Sequence, residues 1–234
     1  MLNMFKRRTL LGALAVTAAL VTGCSSDSGT AKEKLPDAGP LIADAAQAIG
    51  AVKSAHFTLK VNGDIAGLTV QSLDGDLTKE GGSKGGAKGT GKLSMFGQLT
   101  EVEFTLAGET LYIKGPTGSY QKVPIALGAS IYDPSAVLDP NRGIAKVLTS
   151  IQNPKTEAKE DVNGTPAYKV SGKVTKDVLG QLLPGAPDDA FVSFWLAEAG
   201  KHLPVKATAV LPSNSSVDVT LSDVDKPVTV TPPA

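Results

Sequence analysis

Cys24 carries the clearest chemistry in this 234-residue chain, because it is the only cysteine. It follows Val21-Thr22-Gly23, an aliphatic residue, a small residue and a glycine, which is the cleavage pattern of a lipoprotein signal peptidase. This pattern predicts transfer of a diacylglyceryl group to the thiol and cleavage just before Cys24. Stable membrane anchoring takes more than one acyl chain, and a lipoprotein cysteine carries two or three.

The residues that precede the cysteine favour the same interpretation. Lys6-Arg7-Arg8 is followed by an uncharged apolar run of twelve residues from Leu10 to Val21, the profile of a signal peptide. As a helix this run spans about 18 Å, short of a bilayer core of about 30 Å. We therefore expect residues 1–23 to be cleaved and residues 24–36 to form a lipidated, flexible tether on the periplasmic face of the cell membrane. Arg7-Arg8 also loosely resembles a twin-arginine signal, so the export route stays open.

A second motif has the spacing of a phosphate-binding loop. Gly86-Ala87-Lys88-Gly89-Thr90-Gly91-Lys92 satisfies G-x-x-x-x-G-K, but position 93 is Leu instead of the Ser or Thr that would ligate Mg²⁺. The flanking residues predict strands, so no helix N-terminus is available to receive a phosphate. We interpret residues 81–92 as a Gly/Lys-rich loop that links two strands.

Other side chains with catalytic or metal-binding potential are scattered. His56 and His202 each stand alone at a predicted strand edge, while Asp188-Asp189 and the Asp223/Asp225 pair lie in turn-like surroundings. No G-x-S-x-G elbow accompanies either histidine. The sequence therefore favours a non-enzyme, and we expect no catalytic residue, metal or cofactor.

Composition restricts the partners. Removal of residues 1–23 takes away three of the 23 basic side chains and none of the 23 acidic ones, which leaves a net charge of −3. This balance does not favour nucleic-acid binding. With 5% aromatic residues, the single domain expected over residues 37–234 must build its core mainly from Val, Leu, Ile and Ala.

Hydrophobic periodicity predicts an α+β fold, a curved antiparallel sheet with helices against one face. Asp37 is expected to cap a helix over about 38–50, and two more helices are expected to open at Asp139-Pro140 and at Thr175, the second ending before Pro184. Apolar residues alternate in Phe57/Leu59/Val61, Val102/Phe104/Leu106, Leu111/Ile113, Val205/Ala207/Ala209 and Val217/Val219/Leu221. Turns are expected at Asn62-Gly63, Asp74-Gly75, Ala107-Gly108, Asn163-Gly164 and Asn214-Ser215.

One predicted strand has apolar residues on both of its faces. Phe191-Val192-Ser193-Phe194-Trp195-Leu196 is the most aromatic stretch of the chain. A strand of this kind is either a central strand covered on both faces by helix and loop, or a strand with one face toward a ligand. Periodicity leaves both alternatives open.

Several blocks of sequence carry a likeness to a known family. The longest runs from Ile131-Tyr132-Asp133-Pro134 through Leu138-Asp139-Pro140 to Gly143-Ile144-Ala145-Lys146-Val147-Leu148. Shorter blocks are Leu35-Pro36-Asp37-Ala38, Lys53-Ser54-Ala55-His56, Val61-Asn62-Gly63, Val162-Asn163-Gly164 and Val170-Ser171-Gly172-Lys173-Val174. Together these blocks resemble the mycobacterial LppX/LprA/LprF/LprG lipoprotein family. The resemblance covers nearly all of the mature chain, whereas the glycine-rich residues 81–92 depart from the family pattern.

The resemblance implies a half-barrel antiparallel sheet closed by helices around a large apolar cavity. It further implies a carrier of multi-acylated lipids or glycolipids, such as triacylated phosphatidylinositol mannosides, their lipoglycans or triacylglycerol. A major-facilitator exporter and host Toll-like receptor 2 are the protein partners that the family suggests. The alternatives are an accessory lipoprotein that binds a transporter or cell-wall enzyme, and a lipid-modifying hydrolase, for which the sequence offers no nucleophile.

Strand parity and helix spacing then predict the cavity wall. Residues two apart on a strand share a face, so the polar alternates must face water and the apolar ones must face helix or ligand. The expected wall comprises Leu59, Val61, Val102, Phe104, Leu106, Leu111 and Ile113 from the sheet, with Val137, Ile144, Val147, Leu148 and Ile151 from the helix.

Overall fold

The computed structural model describes residues 34–81, 85–95, 97–124, 134–183, 186, 188–212 and 214–234. Cys24, the predicted signal peptide and most of the predicted tether lie outside this range. Three α-helices lie within it: α1 Ala38–Ala51, α2 Ile144–Thr149 and α3 Lys176–Leu182, with a 3-10 helix at Pro134–Leu138. The strands are β1 Ser54–Asn62, β2 Val70–Thr78, β3 Gly86–Met95, β4 Gln98–Ala107, β5 Thr110–Lys114, β6 Tyr120–Pro124, β7 Gln152–Val162, β8 Thr165–Val174, β9 Ala190–Ala197, β10 Pro204–Val210 and β11 Ser216–Ser222.

All eleven strands belong to one antiparallel sheet, in the order β6-β5-β4-β3-β2-β1-β11-β10-β9-β8-β7. Two meanders therefore meet where the first strand pairs with the last, with Leu59 opposite Val219 and Val61 opposite Val217. The two edge strands, β6 and β7, do not pair with each other, so the sheet is an open half-barrel. The α+β prediction of a curved antiparallel sheet with helices on one face is confirmed.

Alternation of side chains gives the sheet one apolar face, called here the inner face, and one polar face, the outer face. Phe57, Leu59 and Leu106 are among the most deeply buried inner-face residues, each at most 2% exposed. Residues from α1, α2 and α3 join them in one hydrophobic cluster. The core thus lies between the inner face and the helices.

Four of the five predicted turns are confirmed by backbone geometry. Gly63, Gly108 and the pair Asn163-Gly164 have positive φ angles, as does Asn214 at 61°. Glycine and asparagine adopt this left-handed region at the lowest steric cost, which is why they mark turns.

The Asp74-Gly75 turn and the 81–92 loop were wrong predictions. Gly75 lies inside β2 and pairs with Gly89 of β3, a strand that begins at Gly86. A Cβ atom at Gly89 would lie 2.1 Å from the Asp74 carbonyl oxygen. The glycines are present because the two strands approach too closely for side chains, and not to make a turn.

The helices differ from expectation in length more than in position. α1 extends one residue beyond the predicted range, and the Asp37 side chain makes no capping hydrogen bond. The helix expected from Asp139-Pro140 begins only at Ile144, after Gly143, and ends at Thr149, so Ile151 lies beyond it. A Cβ atom at Gly143 would lie 2.3 Å from the Ala136 carbonyl oxygen. The tight turn at residues 139–143 therefore delays the helix.

On its outer face, the apolar strand around Trp195 packs against polar side chains of other strands. Cross-strand neighbours Lys169 and Lys206 place their Nζ atoms 5.6 and 4.5 Å from the indole centroid. The indole Nε1 donates a hydrogen bond of 2.7 Å to Glu160. Lysine stems cover the ring, so that Trp195 is only 9% exposed.

Candidate functional site

An apolar cavity lies between the helices and the inner face of β9, β10 and β11. Its volume is about 40 Å³. The residues that line it come from the 3-10 helix, α2, α3 and the three strands: Val137, Ile144, Val147, Leu179, Leu182, Leu183, Val192, Phe194, Ala207, Thr208, Ala209, Val217 and Val219.

Helical and strand periodicity together explain why these side chains converge. Ile144 and Val147 are three residues apart in α2, and Leu179 and Leu182 are three apart in α3, so each pair shares one helix face. Opposite them, Val192 pairs with Ala209 across β9 and β10, and Ala209 pairs with Val217 across β10 and β11. Small alanines in the middle strand leave the space that the helices do not fill.

The cavity wall suits hydrocarbon and offers no reacting group. Thr208 is the one lining residue with a polar side chain, and its strand parity places that side chain on the outer face, where Oγ1 donates a 2.6 Å hydrogen bond to Asp218. No ionisable side chain lines the cavity as described. The site can therefore exclude water and bind apolar matter, but it supplies neither acid, base nor nucleophile.

Of the residues predicted for the cavity wall, some line the cavity and the others lie in the surrounding hydrophobic core. Val137, Ile144 and Val147 line the cavity. The other predicted residues belong to the surrounding hydrophobic cluster. Ile113 and Ile151 are partly buried members of it, and the buried members are Leu59, Val61, Val102, Phe104, Leu106, Leu111 and Leu148.

Sequence reasoning missed the contributions of α3, β9, β10 and β11 to the wall. The alternation in Ala207/Ala209 and Val217/Val219 indicated an apolar face. It carried no information that β11 pairs with β1, or that α3 lies over these strands. Only the topology brings those residues to the same space as α2.

A polar turn holds the helix that roofs the cavity. Arg142 Nε donates to Asp139 Oδ2 at 2.8 Å, and the Asn141 amide donates to Asp139 Oδ1 at 2.8 Å. Partial burial alone would raise the pKa of Asp139, but the hydrogen bonds from Arg142 and Asn141 outweigh it and hold the pKa below its usual value. The turn is therefore fixed by an ionised carboxylate at neutral pH.

The scattered polar residues serve local structure. His56 Nδ1 lies 3.0 Å from Asp76, and its Nε2 lies 3.7 Å from Asp74. Asp189 accepts the Lys176 amide at the start of α3, and Asp225 accepts the Lys53 amide. Within the described residues, no group of three or more His, Cys, Asp or Glu side chains is placed to hold a metal. No helix in that part of the chain is long and apolar enough to cross a membrane.

Comparison with known proteins places this fold in a family. Residues 37–230 match the LppX_LprAFG lipoprotein family. The chain belongs to the LppX_LprAFG family. Among its members, the "Lipoarabinomannan carrier protein LprG" of Mycobacterium tuberculosis is 35% identical over 230 residues, covering 97% of this chain and 95% of the relative. The protein of the same name from Mycolicibacterium smegmatis is 36% identical over 237 residues, covering 98% and 97%.

Solved structures of the LppX_LprAFG family share the half-barrel. LprF from Mycobacterium bovis superposes with a TM-score of 0.75 at 28% identity, over 84% of this chain and 97% of LprF. LppX from Mycobacterium tuberculosis superposes with a TM-score of 0.63 at 22% identity, over 82% and 98%. The predicted family is thereby confirmed.

Proposed function

We propose that this lipoprotein is a carrier that binds the acyl chains of lipids or glycolipids between its helices and the inner face of its sheet. The observation that carries the proposal is the apolar cavity, whose wall is hydrocarbon, since Thr208 directs its hydroxyl to Asp218 on the outer face. The relatives that are named lipoarabinomannan carriers support the same class of ligand.

A carrier role is physically coherent for such a ligand. An acyl chain of sixteen carbons costs on the order of 12 kcal/mol to expose to water, at about 0.8 kcal/mol per CH₂. Lipids with two or three chains cannot cross an aqueous envelope at a useful rate unless the chains are shielded. Binding and release between two apolar environments require no covalent chemistry, which agrees with a wall that has no reacting group.

The cavity must expand to do this work. A volume of about 40 Å³ is far below the roughly 300–1,000 Å³ of pockets that bind drug-sized ligands. α2 and α3 have six and seven residues, and neither has a side-chain cap hydrogen bond. Helices this short depend on tertiary contacts, so we propose that α2 and α3 move away from β9–β11 when chains enter.

The finer parts of the proposal rest on family membership. They are membrane anchoring through acylated Cys24 on the periplasmic face, a multi-acylated ligand such as a triacylated phosphatidylinositol mannoside, and movement toward the outer envelope with a major-facilitator exporter. Host Toll-like receptor 2 is the further partner that anchoring through acylated Cys24 suggests.

The small cavity volume favours one competing function, an accessory lipoprotein with a packed core that binds a transporter or cell-wall enzyme. Native mass spectrometry of the full-length protein isolated from its own host separates the two. We expect acylated lipid at close to one per protein. If no lipid copurifies, and lipid added in vesicles is not bound either, the carrier function is refuted in favour of the accessory one.

A further inference from the structure

A polar groove of about 1,020 Å³ crosses the outer face of the sheet over β1–β5. Its floor is formed by charged and hydroxyl side chains of successive strands, among them the exposed Lys60, Asp74, Thr90, Lys92 and Glu101 and the half-buried Lys114. Five strands at about 4.8 Å spacing make the groove about 20 Å across. Neither the apolar cavity nor the family's carrier role accounts for this concavity.

The charges in the groove are largely matched within it. Lys92 lies 3.3 Å from Glu101, and Lys114 lies 3.2 Å from Glu103, which also accepts a 3.0 Å hydrogen bond from the Tyr120 hydroxyl. Hydrogen bonds from Lys114 and Tyr120 hold the pKa of Glu103 below its usual value, so its acceptor oxygens stay ionised. A floor of paired charges does not favour a polyanion. It presents many donors and acceptors, which is the complement of a polyhydroxyl ligand.

The groove begins one strand away from the apolar cavity. Leu59 and Val61 belong to the groove strand β1, and their direct partners Val219 and Val217 on β11 line the cavity. The two concavities thus lie on opposite faces of one strand pair. They are separated by the rim where β1 ends and β11 begins, at residues 62–63 and 215–216.

We propose that the outer groove binds the glycan of an acylated glycolipid whose acyl chains occupy the inner cavity. This inference rests on the proposed carrier function and extends it to a ligand with two binding sites on one sheet. The glycan passes the rim at the β1 and β11 ends, between the cavity and the groove, and lies across β1–β5. Glycan contacts would then select among lipids that share the same acyl chains.

The test uses the full-length protein in phosphatidylcholine nanodiscs and a soluble glycan probe, lipoarabinomannan freed of its fatty acids by mild alkali. Thr90→Trp fills the middle of the groove from an exposed position, and Lys92→Ala removes a donor without adding bulk. Thr110→Trp is the matched control, because Thr110 lies on the same face of the sheet but outside the groove. Titration calorimetry gives the affinity, and mass spectrometry gives the bound lipid.

We expect the parent and Thr110→Trp to bind the glycan equally. Lys92→Ala should weaken binding about tenfold, as for loss of one hydrogen bond to a charged group, and Thr90→Trp should weaken it further. Bound phosphatidylcholine, which has no glycan to reach the groove, should stay unchanged in all variants. The inference is overturned if the parent does not bind the glycan, or if both groove variants bind it like the parent. A groove that binds a protein instead of the glycan would give one of these two results. Absence of lipid from every variant, with glycan binding intact, would refute the carrier function but not the glycan site.

Discussion

Truncation of Leu179 should cost stability that bound lipid restores, whereas truncation of Leu77 should cost stability that lipid does not restore. Both leucines are buried, at 2% and 1% exposure. Leu179 lines the cavity, while Leu77 pairs with Ala55 near the start of β1, at the end of the sheet away from the cavity strand positions Val217 and Val219. The two variants therefore make the same chemical change in two different surroundings.

The magnitude follows from cavity energetics. Leu→Ala in a core costs about 2.7–5.0 kcal/mol, rising by about 24 cal/mol per Å³ of cavity left behind. We expect each delipidated variant to melt about 5–20 °C below the parent, at roughly 2–4 °C per kcal/mol for a domain of this size.

Lipid separates the two variants because an acyl chain can occupy the space that Leu179→Ala creates. With lipid bound, the loss for Leu179→Ala relative to the loaded parent should shrink by at least about 1 kcal/mol, while that for Leu77→Ala should not. Calorimetric melting of delipidated and lipid-loaded protein measures both values. Equal losses for the two variants in both states would refute the assignment of this cavity to acyl chains.

Three further predictions concern other parts of the chain. Gly89→Ala should lower the free energy of unfolding by about 1–3 kcal/mol, because the new Cβ atom would lie 2.1 Å from the Asp74 carbonyl oxygen. The control Gly180→Ala has open space around the new Cβ atom and should raise the free energy of unfolding by about 0.5–1 kcal/mol. Denaturant unfolding measures both values. Asp139→Asn should destabilise the protein at pH 7 by at most about 1 kcal/mol. Because the pKa of Asp139 is lowered in the folded protein, this difference in unfolding free energy should be present above the ordinary carboxyl pKa of about 3.9 and disappear as pH falls through the folded pKa. A difference that persists at the lowest pH would contradict this. Cys24→Ala should remove labelling by a palmitate analogue and leave the precursor uncleaved, and a labelled Cys24→Ala protein would exclude the anchor.

Local patterns predicted the elements that carry their own signal. In the helix predicted over 38–50, Leu41, Ala45 and Ile49 recur at four-residue spacing and are all buried, and the alternation in β1, β4 and β11 likewise identifies each strand and its buried face. Turns with Asn or Gly at positive φ were equally readable, because the required backbone conformation selects the residue.

The glycines of β2 and β3 show where local patterns fail. Gly75 and Gly89 signal a turn by composition, yet they face each other across two strands that approach closely. The distinction depends on a partner strand that a local pattern does not specify. The same holds for the cavity, since the pairing of β1 with β11 and the position of α3 decide that the wall includes Val192 and Val217 instead of Leu106 and Leu111.

Photo-crosslinking locates acyl chains directly and so tests the central claim. The full-length protein is loaded from vesicles of phosphatidylcholine that contain a lipid with a diazirine in the middle of one acyl chain, irradiated, and mapped by peptide mass spectrometry. The cavity account predicts label on wall residues such as Val147, Leu179, Phe194 and Val217, competed by unlabelled lipid. Label confined to the outer face, or none that unlabelled lipid displaces, would contradict it.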